Sequence, residues 1–364
     1  MNAPRWKQSP PGSHWGEFGP DDQRGRMNYV TTAKVLQGVA EVREGRTFCL
    51  SLPLDVPGGQ AMNPRRMPPR RYSVLRDGAS AGQQGFGWSY QSEDPDLTDV
   101  VNDDVLLMSL QYSTQWDSFA HVGSHFDADA DGVAEAVFYN GYRAGEHLQP
   151  AQEDPNPCAP WARFPEPRAH AMGIEHLAEH GAQGRGVMID LEHHLGRQRQ
   201  AVGYDALMRI LEADRVEVEQ GDMVCLHTGF ADTLLAMDRQ PDVAHLHATG
   251  SGLDGHDARL LNWITDTRLA CLLADNPAVE LVVPKLAGTG LPGAPATGGR
   301  LRQPRLPLHE HCLFKNGIHL GELWYLTDLA RWLRQHQRNR FLLTAPPLRL
   351  PGAVGSPATP IATV

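Results

Sequence analysis

Two histidines and an aspartate stand close together in the segment QWDSFAHVGSHFDADADG, which spans residues 115–132. His121, His125 and Asp127 form the pattern HxxxHxD. Two imidazoles and a carboxylate commonly bind Zn²⁺ and also suit Mn²⁺ or Fe²⁺, and three protein ligands leave a coordination position for water. The pattern therefore predicts a catalytic metal site, although two loop histidines beside an acidic turn also arise by chance.

Gly123, between the two histidines, indicates how the backbone runs there. Glycine weakens a helix by about 1 kcal/mol relative to alanine and permits a bend, so we expect the chain to turn rather than form a helix. The acidic run from Asp127 to Gly132 is also similar to a calcium loop. However, the twelfth position counted from Asp127 is Phe138, where an EF-hand needs glutamate.

Short apolar runs and helical patterns alternate along the chain that must position this segment. The strand-length run DVLLMSLQY directly precedes it, and further runs follow at 186–191, 223–228, 269–274 and 341–345. Helical periodicity occurs at 32–44, 204–213, 259–266 and 327–335. This alternation predicts an α/β or mixed fold. Residues 57–103 and 284–307 are rich in proline and glycine and predict long loops.

The motif segment resembles the hallmark of the cyclase family of metal-dependent hydrolases, the kynurenine formamidase and isatin hydrolase group, which looks like HxGTHxDxPxH. By this resemblance His121, His125 and Asp127 are metal ligands. Ser124 stands for the usual threonine, whereas Asp131 stands where the family has a further histidine that binds a second metal or transfers protons. The resemblance therefore leaves open whether one or two ions bind and whether Asp131 serves as a catalytic group.

The closing segment LHEHCLFKNGIHLGELWYLTDLA is similar to the part of the family that supplies a histidine and a glutamate to the site. These roles fall on His309 and Glu322, as metal ligands and as groups for proton transfer, with His311 close enough to compete for the first. Glu322 also has an argument of its own, since it interrupts the apolar stretch GIHLGELWYL, where an unpaired carboxylate is costly. The alternatives are a surface histidine and an exposed glutamate.

The resemblance implies a single α/β domain, residues 31–364, with a central mixed β-sheet of the swivelling β/α/β type flanked by helices, long loops, and an N-terminal arm, residues 1–30. It implies a Zn²⁺ or Mn²⁺ enzyme, with one or two ions, that uses metal-activated water to cleave a non-peptide amide or cyclic amide C–N bond in a small molecule. The alternative reaction is lactone hydrolysis. Two alternative classes of protein are a non-haem iron oxygenase and a non-catalytic metal-binding protein. A homodimer or homotetramer is expected, with the arm and the 284–307 loop as contacts.

Charge and composition exclude several other classes. The formal charge of −10, from 43 acidic and 33 basic residues, works against nucleic acid or an anionic membrane as a partner. No signal-like or membrane-spanning apolar stretch occurs, so we expect a cytoplasmic protein. The five cysteines are widely spaced and mostly lie in apolar runs, which predicts buried reduced thiols. The clustered arginines at 65, 66, 70 and 71 could hold a substrate carboxylate, but a solvated basic loop is the simpler interpretation.

Overall fold

The apolar runs of the sequence form most of the central strands. The computed structural model describes residues 3–76, 85–150, 168–282 and 304–364. Its strands are β1 (Thr47–Cys49), β2 (Arg70–Ser73), β3 (Phe86–Ser89), β4 (Val100–Asn102), β5 (Asp104–Leu107), β6 (Gln115–Asp117), β7 (Ser124–Phe126), β8 (Glu135–Val137), β9 (Leu148–Gln149), β10 (Arg168–Ala169), β11 (Gln183–Asp190), β12 (Gln200–Val202), β13 (Met223–His227), β14 (Ser251–Leu253), β15 (Cys271–Ala274), β16 (His319–Glu322), β17 (Arg340–Thr344), β18 (Gly355–Pro357) and β19 (Ile361–Thr363).

Helices follow several of these strands, as the alternating pattern predicts. They are α1 (Thr32–Ala40), α2 (Glu175–His180), α3 (Leu191–Leu195), α4 (Tyr204–Asp214), α5 (Phe230–Ala236), α6 (Val243–His247), α7 (Ala258–Asp266), α8 (Pro307–His309) and α9 (Thr327–Gln335). A π-helical segment, Glu310–Lys315, directly continues α8. Short 3₁₀ turns lie at Gly25–Tyr29, Tyr90–Ser92 and Tyr139–Gly141. No helix of the described residues has the length and apolar character that crossing a membrane requires.

Nine strands form one mixed sheet in the order β1-β19-β17-β11-β13-β15-β16-β6-β18. The centre, from β11 through β13 and β15 to β16, is parallel. The flanking strands pair antiparallel, including β16 with β6. Parallel strands buried on both faces are apolar at every position, which is why the sequence shows continuous runs there. The prediction of a mixed α/β domain with a central sheet is confirmed.

The sheet buries an apolar core on each face. Along β11, Val187 and Ile189 contribute to one core with residues of α4 and α7, whereas Met188 contributes to the other with residues of α2 and α9. This alternation follows from the twofold period of strand side chains. The resulting three layers hold the strand ends, and the side chains near them, in fixed positions.

The run DVLLMSLQY behaves differently from the prediction. Only β5 is a strand, and it pairs with β2 outside the central sheet, with Val105 and Leu106 exposed. The strand that joins the sheet is β6, at the start of the motif segment itself. Apolar composition alone did not separate an exposed hairpin strand from a core strand, because the partner of each is remote in sequence.

The N-terminal segment packs against the main domain of the same chain. Trp15 makes edge-to-face contacts with Phe126 and Phe314, at ring separations of 6.0 and 5.3 Å, and donates its indole N–H to the Phe314 carbonyl. The predicted boundary at residue 30, between an N-terminal arm and the main domain, stays a prediction.

Most of the predicted 284–307 contact loop lies outside the described residues, as does Cys158. Cys225, Cys271 and Cys312 are buried free thiols as expected, whereas Cys49 is exposed.

Candidate metal centre

Pairing between β6 and β16 brings together polar groups that are distant in sequence. Glu322 lies opposite Gln115 in the antiparallel register, and Leu320 lies opposite Asp117. Because paired residues and residues two apart share a face, Gln115, Asp117 and Glu322 project from the same side of the sheet. All three are buried.

His309 reaches this group from the junction of α8 with the π-helical segment. Asp117, His309 and Glu322 each offer a ligand atom, and the three atoms lie within 4.8 Å of one another. We call these three residues the Asp–His–Glu cluster. π-helical segments are frequent at functional sites because they change the direction in which one turn presents its side chains.

The Glu322 carboxylate has a partner on each oxygen. Its Oε1 lies 3.2 Å from Nε2 of His309, and its Oε2 accepts a hydrogen bond of 2.8 Å from the Gln115 amide. Burial raises the pKa of Glu322, and the neighbouring charge of Asp117 raises it further. The exposed-glutamate interpretation is excluded, since Glu322 is only 2% exposed.

The His309 ring lies between two carboxylates. Its Nδ1–H donates to Oε1 of Glu280 at 2.6 Å, while Nε2 faces Glu322. Burial alone would lower the pKa of His309, but the hydrogen bonds to Glu280 and Glu322 raise it to about 10. Glu280 also accepts the backbone N–H groups of Leu308 and His309. It therefore fixes both the start of α8 and the orientation of the imidazole.

His311 does not compete for this position. Its Nε2 lies 2.9 Å from the hydroxyl of Thr265 and 3.3 Å from the side-chain amide nitrogen of Asn316, so the ring points toward α7. Between the two candidate histidines, the structure therefore places His309 against Glu322. The surface-histidine alternative for His309 does not hold, since the residue is 3% exposed.

Asp117 carries the clearest indication of a missing partner. Its Oδ1 accepts a 3.3 Å hydrogen bond from Gln115, but its Oδ2 is buried and has no hydrogen-bond partner among the described residues. The imidazole Nε2 of His121 lies 3.9 Å from Oδ1, and the His121 side chain is 25% exposed. A buried carboxylate oxygen is rarely left without a partner, so a ligand on this side of Asp117 has a physical reason to bind.

His121, His125 and Asp127 do not occur together in any group of three or more ligand-type residues among the described residues. No group of ligand atoms lying within 4.8 Å of one another, among the described residues, contains His121 with His125. His125 is exposed on β7. The carboxylate of Asp127 accepts the backbone N–H groups of Asp131 and Gly132 at 3.1 and 2.9 Å, which folds the acidic run into a turn. Only His121 of the predicted trio therefore lies beside the Asp–His–Glu cluster.

The chain at Gly123 forms no helix, as the sequence indicated. The hydrogen-bonded turn of this segment lies at 118–121, before the glycine, and leads into β7. A Cβ on Gly123 would lie 2.4 Å from the carbonyl oxygen of Val137, so the backbone at the end of β8 leaves no room for a side chain at this position. His121 is partly buried beside this turn, whereas His125 on β7 is exposed.

The donor set of the cluster fits a divalent metal. Two carboxylates and one imidazole are ligands that Zn²⁺ and Mn²⁺ accept. With Glu280 included, three buried carboxylates face one imidazole, an excess of negative charge that a cation would offset. Glu280 also supplies the outer hydrogen bond that metal-binding histidines usually make.

In two other groups of ligand-type residues, arginines already contact some of the carboxylates. In the first, formed by Asp190, Glu192 and His227, Arg334 lies 2.6 Å from Asp190 and Arg197 lies 2.9 Å from Glu192. In the second, Arg143 lies 3.1 Å from Glu135, which neighbours Asp127 and Asp129. Two surface clefts, of ≈ 380 and ≈ 720 Å³, are lined by no member of the Asp–His–Glu cluster. The donor chemistry, rather than cleft size, therefore identifies the site.

Sequence reasoning missed Asp117, Gln115 and Glu280. Asp117 stands four residues before His121, inside the segment that drew attention. Glu280 interrupts the apolar stretch AVELVV, the same signal that singled out Glu322. An isolated acid in an apolar run needs a partner, and applying that rule along the whole chain would have found Glu280.

The chain belongs to the cyclase family, because residues 50–281 match the family described as putative cyclase. The crystal structure of a novel cyclase is 27% identical, with a TM-score of 0.68, and the alignment covers 97% of each chain. Isatin hydrolase A from Ralstonia solanacearum is 13% identical with a TM-score of 0.51 and coverage of 91% and 97%. Isatin hydrolase A from Labrenzia aggregata, bound to benzyl benzoate, is 15% identical with a TM-score of 0.52 and coverage of 91% and 98%. No curated protein matches this chain.

Proposed function

We propose that this protein is a metal-dependent hydrolase that cleaves a non-peptide amide or cyclic amide bond in a small molecule, and that Asp117, His309 and Glu322 hold the metal. The observation that carries the proposal is the buried Asp–His–Glu cluster with the unpartnered Oδ2 of Asp117. Membership of the cyclase family and the fold shared with isatin hydrolases support the reaction class.

Each residue around the cluster has a defined part. A divalent ion such as Zn²⁺ or Mn²⁺, when bound, supplies Lewis acidity and lowers the pKa of water. Gln115 holds the carboxylates of Glu322 and Asp117 through its amide, which keeps both in one geometry. Glu280 keeps the proton of His309 on Nδ1 and leaves Nε2 directed at the cluster.

His121 is the group that we assign to proton transfer. It is partly exposed and lies beside Asp117, so a substrate at the mouth of the cluster can contact its ring. A positioned imidazole can hand a proton to a leaving nitrogen. His121, His125 and Asp127 as metal ligands, a second ion, and Asp131 as a catalytic group stay predictions from the sequence motif and are not part of this proposal.

The test is hydrolysis before and after removal of metal. The purified protein is assayed on aromatic formamides, cyclic imides and lactones, treated with EDTA, and then given Zn²⁺ or Mn²⁺. We expect ring opening or deformylation that is lost with EDTA and restored by metal, and that continues without dioxygen. Glu322→Gln should abolish it, whereas Glu192→Gln, an acid outside the cluster, should not. Turnover that survives complete metal removal would contradict the proposal.

A further inference from the structure

Arg66 lies next to the Asp–His–Glu cluster although it comes from the long loop before the motif. Its Nη1 donates to Oε1 of Gln115 at 3.4 Å, and Gln115 in turn donates to Glu322 and Asp117. Arg66 is half-buried, unlike its exposed neighbour Arg65. The cluster is itself buried, whereas Arg66, which contacts Gln115, and His121, which lies beside Asp117, are both partly exposed.

The backbone on both sides of Arg66 is fixed. The N–H of Arg66 donates to the Asn63 carbonyl at 3.1 Å, and that of Arg65 donates to the Asn63 side chain at 3.2 Å. Met67 exchanges two hydrogen bonds with Ser109, of 2.8 and 3.1 Å. These hydrogen bonds hold the backbone at Arg66, so ligand binding would have to order the side chain but not the loop that carries it.

The guanidinium has capacity that the described residues do not use. It carries five N–H donors, and none of the carboxylates in the parts of the chain that the structure describes lies within 4.0 Å of it. By contrast, the buried Arg185 makes two hydrogen bonds of 2.8 Å with Asp222. An arginine beside a buried site, with N–H donors that the described residues do not use, is suited to two parallel hydrogen bonds with a carboxylate.

We propose that Arg66 binds a carboxylate group of the substrate, so that the enzyme selects small amides that carry a negative charge. The inference rests on the proposed function only in calling the bound molecule a substrate. Binding of a carboxylate by Arg66 does not depend on that function. Another role for Arg66 would be to offset the negative charge of Asp117, Glu322 and Glu280. The two roles differ, because charge compensation gives no preference for a carboxylate over a neutral group of the same shape.

The experiment compares benzoate with its neutral isostere benzamide by titration calorimetry. The proteins are the wild type, Arg66→Ala, Arg66→Lys, and Arg65→Ala as the matched control, each with metal content and melting temperature recorded. We expect the Kd of benzoate to rise by about tenfold or more in Arg66→Ala, since a charged hydrogen-bonding pair contributes about 1.5–3 kcal/mol. Arg66→Lys should recover part of the affinity, while benzamide binding and Arg65→Ala should be unchanged.

Three results would overturn the inference: no benzoate binding to the wild type, equal weakening of benzoate and benzamide, or an unchanged Kd in Arg66→Ala. The titration needs no turnover and is repeated after EDTA treatment. A failure of the proposed hydrolase function would therefore show in the activity screen, and a failure of the carboxylate site would show here.

Discussion

Replacing Glu280 by glutamine should weaken metal binding although none of the three proposed metal ligands is replaced. Glu280 accepts three hydrogen bonds on its two oxygens: the side-chain Nδ1–H of His309 at 2.6 Å, and the N–H groups of Leu308 and His309 at 3.1 Å each. Glutamine offers one acceptor oxygen, and its NH₂ group would face a donor. At least one of the three bonds is therefore lost, and the imidazole is no longer held by a charge.

The expected size follows from the effect of such outer hydrogen bonds on metal affinity. Their loss usually weakens binding by about 10- to 100-fold, which corresponds to about 1.4–2.8 kcal/mol. The assay is competition for Zn²⁺ against a chromophoric chelator. Glu310→Gln is the control, because the Glu310 carboxylate accepts from Ser124 and pairs with Lys315 rather than with His309 in the interactions that the described residues make. Wild-type affinity in Glu280→Gln, with the fold intact by melting temperature, would refute the assigned role of Glu280.

Three further predictions concern stability and reactivity. Gly123→Ala should lower the melting temperature and reduce the free energy of unfolding by about 2–4 kcal/mol, because its Cβ would lie 2.4 Å from the Val137 carbonyl oxygen. An unchanged melting curve would count against the close approach. Asp222→Asn should cost about 3 kcal/mol in urea unfolding, since it breaks the buried pair with Arg185; a loss below about 0.5 kcal/mol, typical of a surface site, would contradict this. Cys49 should react rapidly with a thiol reagent in peptide mapping, and the buried thiols of the central sheet only in denaturant; uniform labelling would contradict their burial.

The central strands could be predicted because burial on both faces imposes an apolar residue at every position. Helix α9 matches the expected bounds, Thr327 to Gln335, since its amphipathic period is strong. The run at 104–112 misled because an exposed hairpin strand can be as apolar as a core strand. Its place depends on pairing with β2, which no local pattern reports.

The site could be located only in part from the sequence. Asp117 and His121 of the motif segment lie next to each other, and the structure places His309 beside Glu322, the pair that the resemblance named. Asp117 meets Glu322 only because β6 pairs with β16, which is more than 200 residues away in the chain. Spacing within HxxxHxD gave no information on that register or on the exposure of His125 on β7.

Elemental analysis of protein purified without added metal shows whether the Asp–His–Glu cluster holds the ion. We expect bound Zn²⁺ or Mn²⁺ in the wild type and in His125→Ala. We expect loss of that metal in Asp117→Asn and in His309→Ala, with melting temperatures reported for all four proteins. Metal that is retained when Asp117 and His309 are replaced, but lost from His125→Ala, would place the ion at the HxxxHxD segment and refute its assignment to the cluster.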